Sequence, residues 1–202
     1  MIRKLKSNKR FEITLLLILM TFFCFSLSLF RYYISETKVF LFLNWNLFLA
    51  WIPFFISSFL LIFKIRSKLS LIVAIAVWII FFPNSPYILT DLFHLRSRNA
   101  IPIWYDLVVI LSYAWTGLFC GFVSLLDIEK LLSDYFKPRI INILTFSFLF
   151  IASFGVYLGR FLRWNSWDVL SNPFGLFNDI AMRIVYPMDY TKTWGVTVLM
   201  GI

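Results

Sequence analysis

Apolar runs separated by short polar or basic stretches organise the whole chain. Five read as membrane spans: Phe11–Phe30, Val39–Phe63, Leu69–Phe82, Leu107–Leu126 and Ile140–Leu158. A helix needs about 20 apolar residues to cross a hydrocarbon core roughly 30 Å thick. The second run is long enough to tilt, or to bend at Pro53. The third follows the basic edge Lys64–Lys68 and breaks at Pro83-Asn84-Ser85-Pro86 after only fourteen residues, about 21 Å of helix. The break therefore falls inside the membrane. Exposed backbone polar groups persist at that depth only if protein buries them or a watery cavity wets them. A sixth apolar segment, Trp194–Ile202, is too short to cross. Either the native chain is longer or this tail stays in the interface.

Composition agrees with this pattern. Of 202 residues 61% are hydrophobic and 14% charged, with 25 Phe, more apolar surface than a soluble domain of this length can bury. The expectation is a single all-α, polytopic helical membrane domain over residues 1–202. It has five full spans, a broken third span, an interfacial helix and a short C-terminal apolar segment. Cys24 and Cys120 sit inside apolar runs and read as small core residues.

The net charge of +9 excludes little and suggests no nucleic-acid partner, because the basic residues form short clusters at span ends. They set orientation instead. Arg3, Lys4, Lys6, Lys9 and Arg10 precede the first span, which predicts a cytoplasmic N-terminus in a cell membrane. Lys64, Arg66, Lys68, Lys130, Lys137 and Arg139 then fall on the same side, eleven of the nineteen basic residues in all. The first span also has the form of a signal peptide, but the polytopic body behind it favours an uncleaved anchor.

Two polar segments fall on the opposite, outer face: Pro83–Tyr105 and Gly159–Lys192. The turn Asp127–Arg139 reads as an ordinary solvated loop. In the first segment Asn84 or Ser85 is placed to cap a new helix, with Pro86 in its first turn. Thr90, Asp91, His94 and Arg98 follow on one helical stripe. An aspartate three residues before the chain's one histidine is positioned to orient the imidazole or share its proton. Asp106, after Trp104 and Tyr105, is expected at the same depth. Asp91, His94 and Asp106 are thus the catalytic candidates, although they also suit solvated or helix-capping roles.

In the second segment a continued fifth helix puts Arg160, Arg163, Trp164 and Trp167 on one face. Two guanidiniums there are suited to clamp a phosphate; the plain alternative is snorkelling arginines beside interfacial tryptophans. Asn84, Arg160, Arg163, Asn165 and Asp168 are the substrate-binding candidates. Asn172-Pro173 then opens an amphipathic helix, whose apolar residues Phe174, Phe177, Ile180, Ala181, Ile184 and Val185 oppose Asn178, Asp179 and Arg183. It reads as a cap or a lid. Asn44 and Asn46, near the outer end of the second span, add to this region. Gly117 and Gly121 form a small-xxx-small pair that suits close helix packing.

Several stretches are long enough to resemble a known family. They are Phe82-Pro83-Asn84-Ser85-Pro86-Tyr87, Thr90-Asp91-Leu92 with His94-Leu95, Trp104-Tyr105-Asp106, and the run Tyr157 to Asp168. Together they resemble an uncharacterised bacterial integral-membrane family, domain of unknown function 1361, over about Leu69 to Asp189. The resemblance implies a multi-span inner-membrane protein and no reaction. It also implies a final full span, which this chain lacks.

Three functions fit. The first is binding of, or chemistry on, a phosphate-bearing envelope lipid at an outward-facing polar pocket. The others are a transporter or an ion- or lipid-binding component, and an accessory scaffold without catalysis. No catalytic motif decides between them. One histidine without paired thiolates makes a metal site thin, and the cofactor is unknown. Membrane lipids are the expected partners; an oligomer or a membrane-protein partner is left open.

Overall fold

The computed structural model describes residues 9–63, 65, 67–97 and 101–201. Arg3, Lys4, Lys6, Lys64, Arg66 and Arg98 lie outside the described residues. Helix α1 covers Arg10–Ser35, α2 Phe42–Phe63, α3 Lys68–Phe81, α4 Asn84–Tyr87, α5 Ile103–Leu132 and α6 Pro138–Leu162. A 3-10 helix over Ile88–His94 follows α4. The chain ends in α7 (Asp168–Ser171), α8 (Pro173–Val185) and α9 (Thr191–Gly201). Five stretches are long and apolar enough to cross a membrane, the third being the composite Lys68–His94. The fold is all-α and polytopic.

Helix α5 is the central post; α1, α2, α4 and the 3-10 helix all pack on it. Its length overturns one expectation. It runs through Asp127 to Leu132, so the turn to α6 is shorter than the solvated loop Asp127–Arg139. Asp127 is buried, receives an N–H from Arg10 at 2.7 Å and accepts from the Ser57 hydroxyl at 2.7 Å. Arg10 also donates to Ser58. At the other end of α1, Arg31 pairs with Asp106 at 2.7 Å, the two side chains only 2% and 0% exposed. Between these ends Ser28 bonds Tyr113 at 2.6 Å, and Trp78 donates to Ser124 at 3.1 Å. Polar side chains among lipid-facing helices find partners across helices.

The proline break is a kink along one helical path. Phe82 and Pro83 keep right-handed helical backbone, and neither Asn84 nor Ser85 caps a new helix. The Asn84 amide instead turns back and donates to the carbonyl of Phe81 at 2.8 Å. Two glycine pairs let the kink approach its neighbours. On α5, a Cβ at Gly121 would lie 2.6 Å from the Ser85 Cβ; on α6, a Cβ at Gly155 would lie 2.5 Å from Pro83 Cγ. Gly117 and Gly159 extend the two cradles to Ile88 and Tyr87. The Gly117/Gly121 pair thus serves close packing, and Gly155/Gly159 is its unanticipated counterpart.

The C-terminal apolar segment forms α9, which packs along α6. Trp194 stacks on Phe154 with centroids 5.8 Å apart, and Gly201 lies beside Ser153.

Candidate functional site

The kink and the tryptophan-rich stretch after α6 come together. The last carbonyls of a helix have no partner within it. Here Ile80 at the end of α3 accepts from the Ser166 hydroxyl at 3.1 Å, and Ser166 accepts from the Asn84 amide at 2.9 Å. The Ile80 carbonyl, at the end of α3 where the helix kinks, is therefore satisfied by the loop 163–167.

Beside this junction, the last turn of α6 directs Arg160 at the 3-10 helix. Its Nε donates to Thr90 Oγ1 at 2.7 Å, one terminal nitrogen donates to His94 Nε2 at 3.0 Å, and the other pairs with Asp91. Asn46 Nδ2 donates to the second oxygen of Asp91 at 2.9 Å. The guanidinium also lies 4.6 Å above the Tyr87 ring. The 3-10 period of about three residues explains the fit. It stacks Asp91 with His94 and Tyr87 with Thr90, so one planar fork reaches both columns.

This geometry revises several sequence expectations. A guanidinium only donates, so His94 Nε2 is the acceptor and a neutral imidazole carries its proton on Nδ1. Arg160 stands between Asp91 and His94, and no hydrogen bond joins the two among the described residues. Asp106 belongs to the Arg31 pair, which reaches the His94 ring only through successive contacts of Arg31 with Phe40, Phe40 with Phe42 and Phe42 with His94. Nor do Arg160 and Arg163 form a clamp. Helix α6 ends at Leu162 and Arg163 takes a left-handed conformation, φ 63°, so the two side chains leave a common face.

Asp168 organises its own loop. It accepts from the Asn165 backbone N–H at 2.7 Å, from the Ser171 hydroxyl at 2.8 Å and from the Asn165 amide at 3.2 Å. These bonds to the ionised form, the Asn165 N–H foremost, hold its carboxyl below the ordinary value.

A cavity of about 490 Å³ opens next to the junction. Trp45, Asn46 and Leu49 of α2 line one wall, Ile79, Ile80 and Asn84 a second, and Phe154, Gly155 and Leu158 of α6 a third. Arg163, Asn165, Ser166 and Trp167 border it, and Leu176 and Ile180 of α8 close it. Arg163 is the only charged side chain in this lining and has no ion-pair partner among the described residues. Of the candidates, Asn84, Arg163 and Asn165 thus line the cavity, whereas Asp91, His94, Asp106, Arg160 and Asp168 do not. Among the described residues no three His, Cys, Asp or Glu side chains form a group able to hold a metal ion.

Helix α8 has the expected Asn172 cap, which accepts from the Gly175 N–H at 3.1 Å. Its orientation is less expected. Asp179 faces the protein and accepts from Trp164 Nε1 at 2.7 Å, and Arg183 is buried. Phe174 and Phe177 point away, 87% and 72% exposed.

The Arg31–Asp106 and Arg10–Asp127 pairs escaped sequence reading, because one aspartate looked like a cap and the other like part of a loop. Trp45 escaped too, although its place one position before Asn46 was a signal. No curated protein and no solved structure matches the chain. A family model does match, and it takes in both the kink and the loop that meets it, with α8 and α9 besides. On residues 45–202, the chain belongs to the family described as protein of unknown function, DUF1361.

Proposed function

We propose that the protein binds a phosphate-bearing envelope lipid in this cavity, headgroup toward Arg163 and acyl chain along the apolar wall of Leu49, Ile79 and Phe154. One observation carries the reading: an amphipathic cavity whose lining holds a single charge, an arginine with no carboxylate partner among the described residues. Arg160 and Arg183, the other nearby arginines, are engaged by Asp91 and Asp179. An unpaired guanidinium in a half-apolar site favours a phosphate monoanion or diester. The positive-inside pattern supports a cytoplasmic N-terminus. With it, the cavity, at the opposite end of the bundle from Arg10, faces the outer leaflet.

Binding is favoured over acid–base chemistry because the imidazole lies outside the cavity with its acceptor nitrogen already bonded. The test is lipid binding by the purified protein in nanodiscs. Phosphatidic acid is expected to bind about tenfold more tightly than phosphatidylcholine, and Arg163→Gln to remove most of that difference. Equal affinity for the two lipids overturns the reading. Loss of abundance in Arg163→Gln without any lipid preference favours the scaffold instead; solute flux without lipid retention favours a transporter.

A further inference from the structure

Three asparagines line the cavity in which we place the lipid: Asn46, Asn84 and Asn165. Each amide nitrogen is held by an oxygen that only accepts. Asn46 Nδ2 donates to Asp91 at 2.9 Å, Asn84 Nδ2 to the Phe81 carbonyl at 2.8 Å and Asn165 Nδ2 to Asp168 at 3.2 Å. Reversing any of these amides would set two acceptors against each other, so their orientation is determined by their partners. The three Oδ1 atoms accept no hydrogen bond from the described protein. The lining therefore combines the guanidinium donors of Arg163 with three amide oxygens whose orientation is fixed by their partners.

We infer that the headgroup is a polyol phosphoester, its phosphate on Arg163 and its hydroxyls donating to the oxygens of Asn46, Asn84 and Asn165. An ammonium headgroup also donates, but it would enter a lining that holds a positive charge and no carboxylate. A bare phosphate has too few donors to use three acceptors. Trp45 and Trp167, both in the lining, meet edge to face at 6.4 Å. Their flat apolar faces suit the carbon skeleton of a polyol or sugar. This inference rests on the lipid reading above and assigns the headgroup within it.

Nanodisc binding separates the two claims. The probes are phosphatidylglycerol, phosphatidic acid and soluble glycerol 3-phosphate. Phosphatidylglycerol is expected to bind about tenfold more tightly than phosphatidic acid, although phosphatidic acid carries at least as much negative charge. Asn165→Ala keeps the backbone N–H that Asp168 accepts, and it should reduce that ratio about threefold or more. Asn84→Ala should reduce it further if the variant folds.

Equal or reversed affinity for the two lipids overturns the polyol assignment and leaves the anionic-lipid reading standing. An unchanged ratio in Asn165→Ala also overturns the assignment. Glycerol 3-phosphate binding as tightly as phosphatidylglycerol supports the polyol phosphoester and overturns the lipid reading. Retention of none of the three overturns both.

Discussion

Ser166 sits between Asn84 and the carbonyl of Ile80, accepting from the one at 2.9 Å and donating to the other at 3.1 Å. This small relay joins residues 82 positions apart in the chain. It also supplies a partner for a carbonyl at the end of α3, where the helix kinks. Ser166→Ala should lower stability by about 1–3 kcal/mol, the range for leaving buried polar groups unpaired. In a double-mutant cycle with Asn84→Ala, the two losses should sum to more than the loss of the double variant, read by thermal melting in detergent. Strict additivity would mean that the relay stores no energy.

Close approach at Gly155 gives a steric prediction. An added methyl would overlap Pro83 at 2.5 Å, a ring atom on a constrained backbone. Gly155→Ala should destabilise by about 1–3 kcal/mol. Gly195, which has nothing within 4 Å of a built Cβ, is the control, and Gly195→Ala should leave melting nearly unchanged.

The Arg31 and Asp106 side chains are nearly inaccessible, so removing Asp106 leaves the buried Arg31 charge without its carboxylate. Asp106→Ala should cost about 3–5 kcal/mol and depress the yield of folded protein. The double variant Arg31→Met, Asp106→Leu should recover much of that loss. Failure of the double variant to recover would mean that the hydrogen bonds of Arg31 to Thr37 and Val39, rather than the charge balance, hold this end of α1.

His94 is the only histidine, so a protein labelled with ¹⁵N-histidine gives one imidazole pattern. That pattern should show the proton on Nδ1, with Nε2 as the acceptor from Arg160. Arg160→Gln should shift the population toward the Nε2–H tautomer. A predominantly Nε2–H form in the unaltered protein would rule out this hydrogen bond.

Asp168 predicts a dependence on pH. Its carboxyl in the folded loop titrates below the unfolded value, chiefly through the Asn165 N–H. Its contribution is therefore complete above the unfolded value, about 3.9, and declines as pH falls through the folded one. Protease protection of the 163–171 loop should be flat from neutrality to about pH 5 and weaken below about pH 4. Asp168→Asn should show no such acid-side loss.

The spans were legible because hydrophobic runs of membrane length have few other readings. The kink was legible from Pro83, and its encounter with the loop 163–167 from charge topology. What the residues could not disclose was which polar groups satisfy each other. Arg160 and Arg163, three apart, read as one helical face, but the helix ends at Leu162 and Arg163 itself is left-handed. Asp91 and His94 kept their shared stripe, yet a guanidinium from another helix took the place between them. Asp127 looked solvated because its partner, Arg10, lies at the far end of the chain. Such pairings depend on helix order around α5, which hydropathy does not encode.

The outward-turned phenylalanines of α8 have a mechanical consequence. Leu176 and Ile180 close the cavity, while Phe174 and Phe177 on the same helix are exposed. Under the proposed outward orientation those two rings rest on the surrounding leaflet. Acyl-chain order and lateral pressure would then act directly on the helix that covers any occupant.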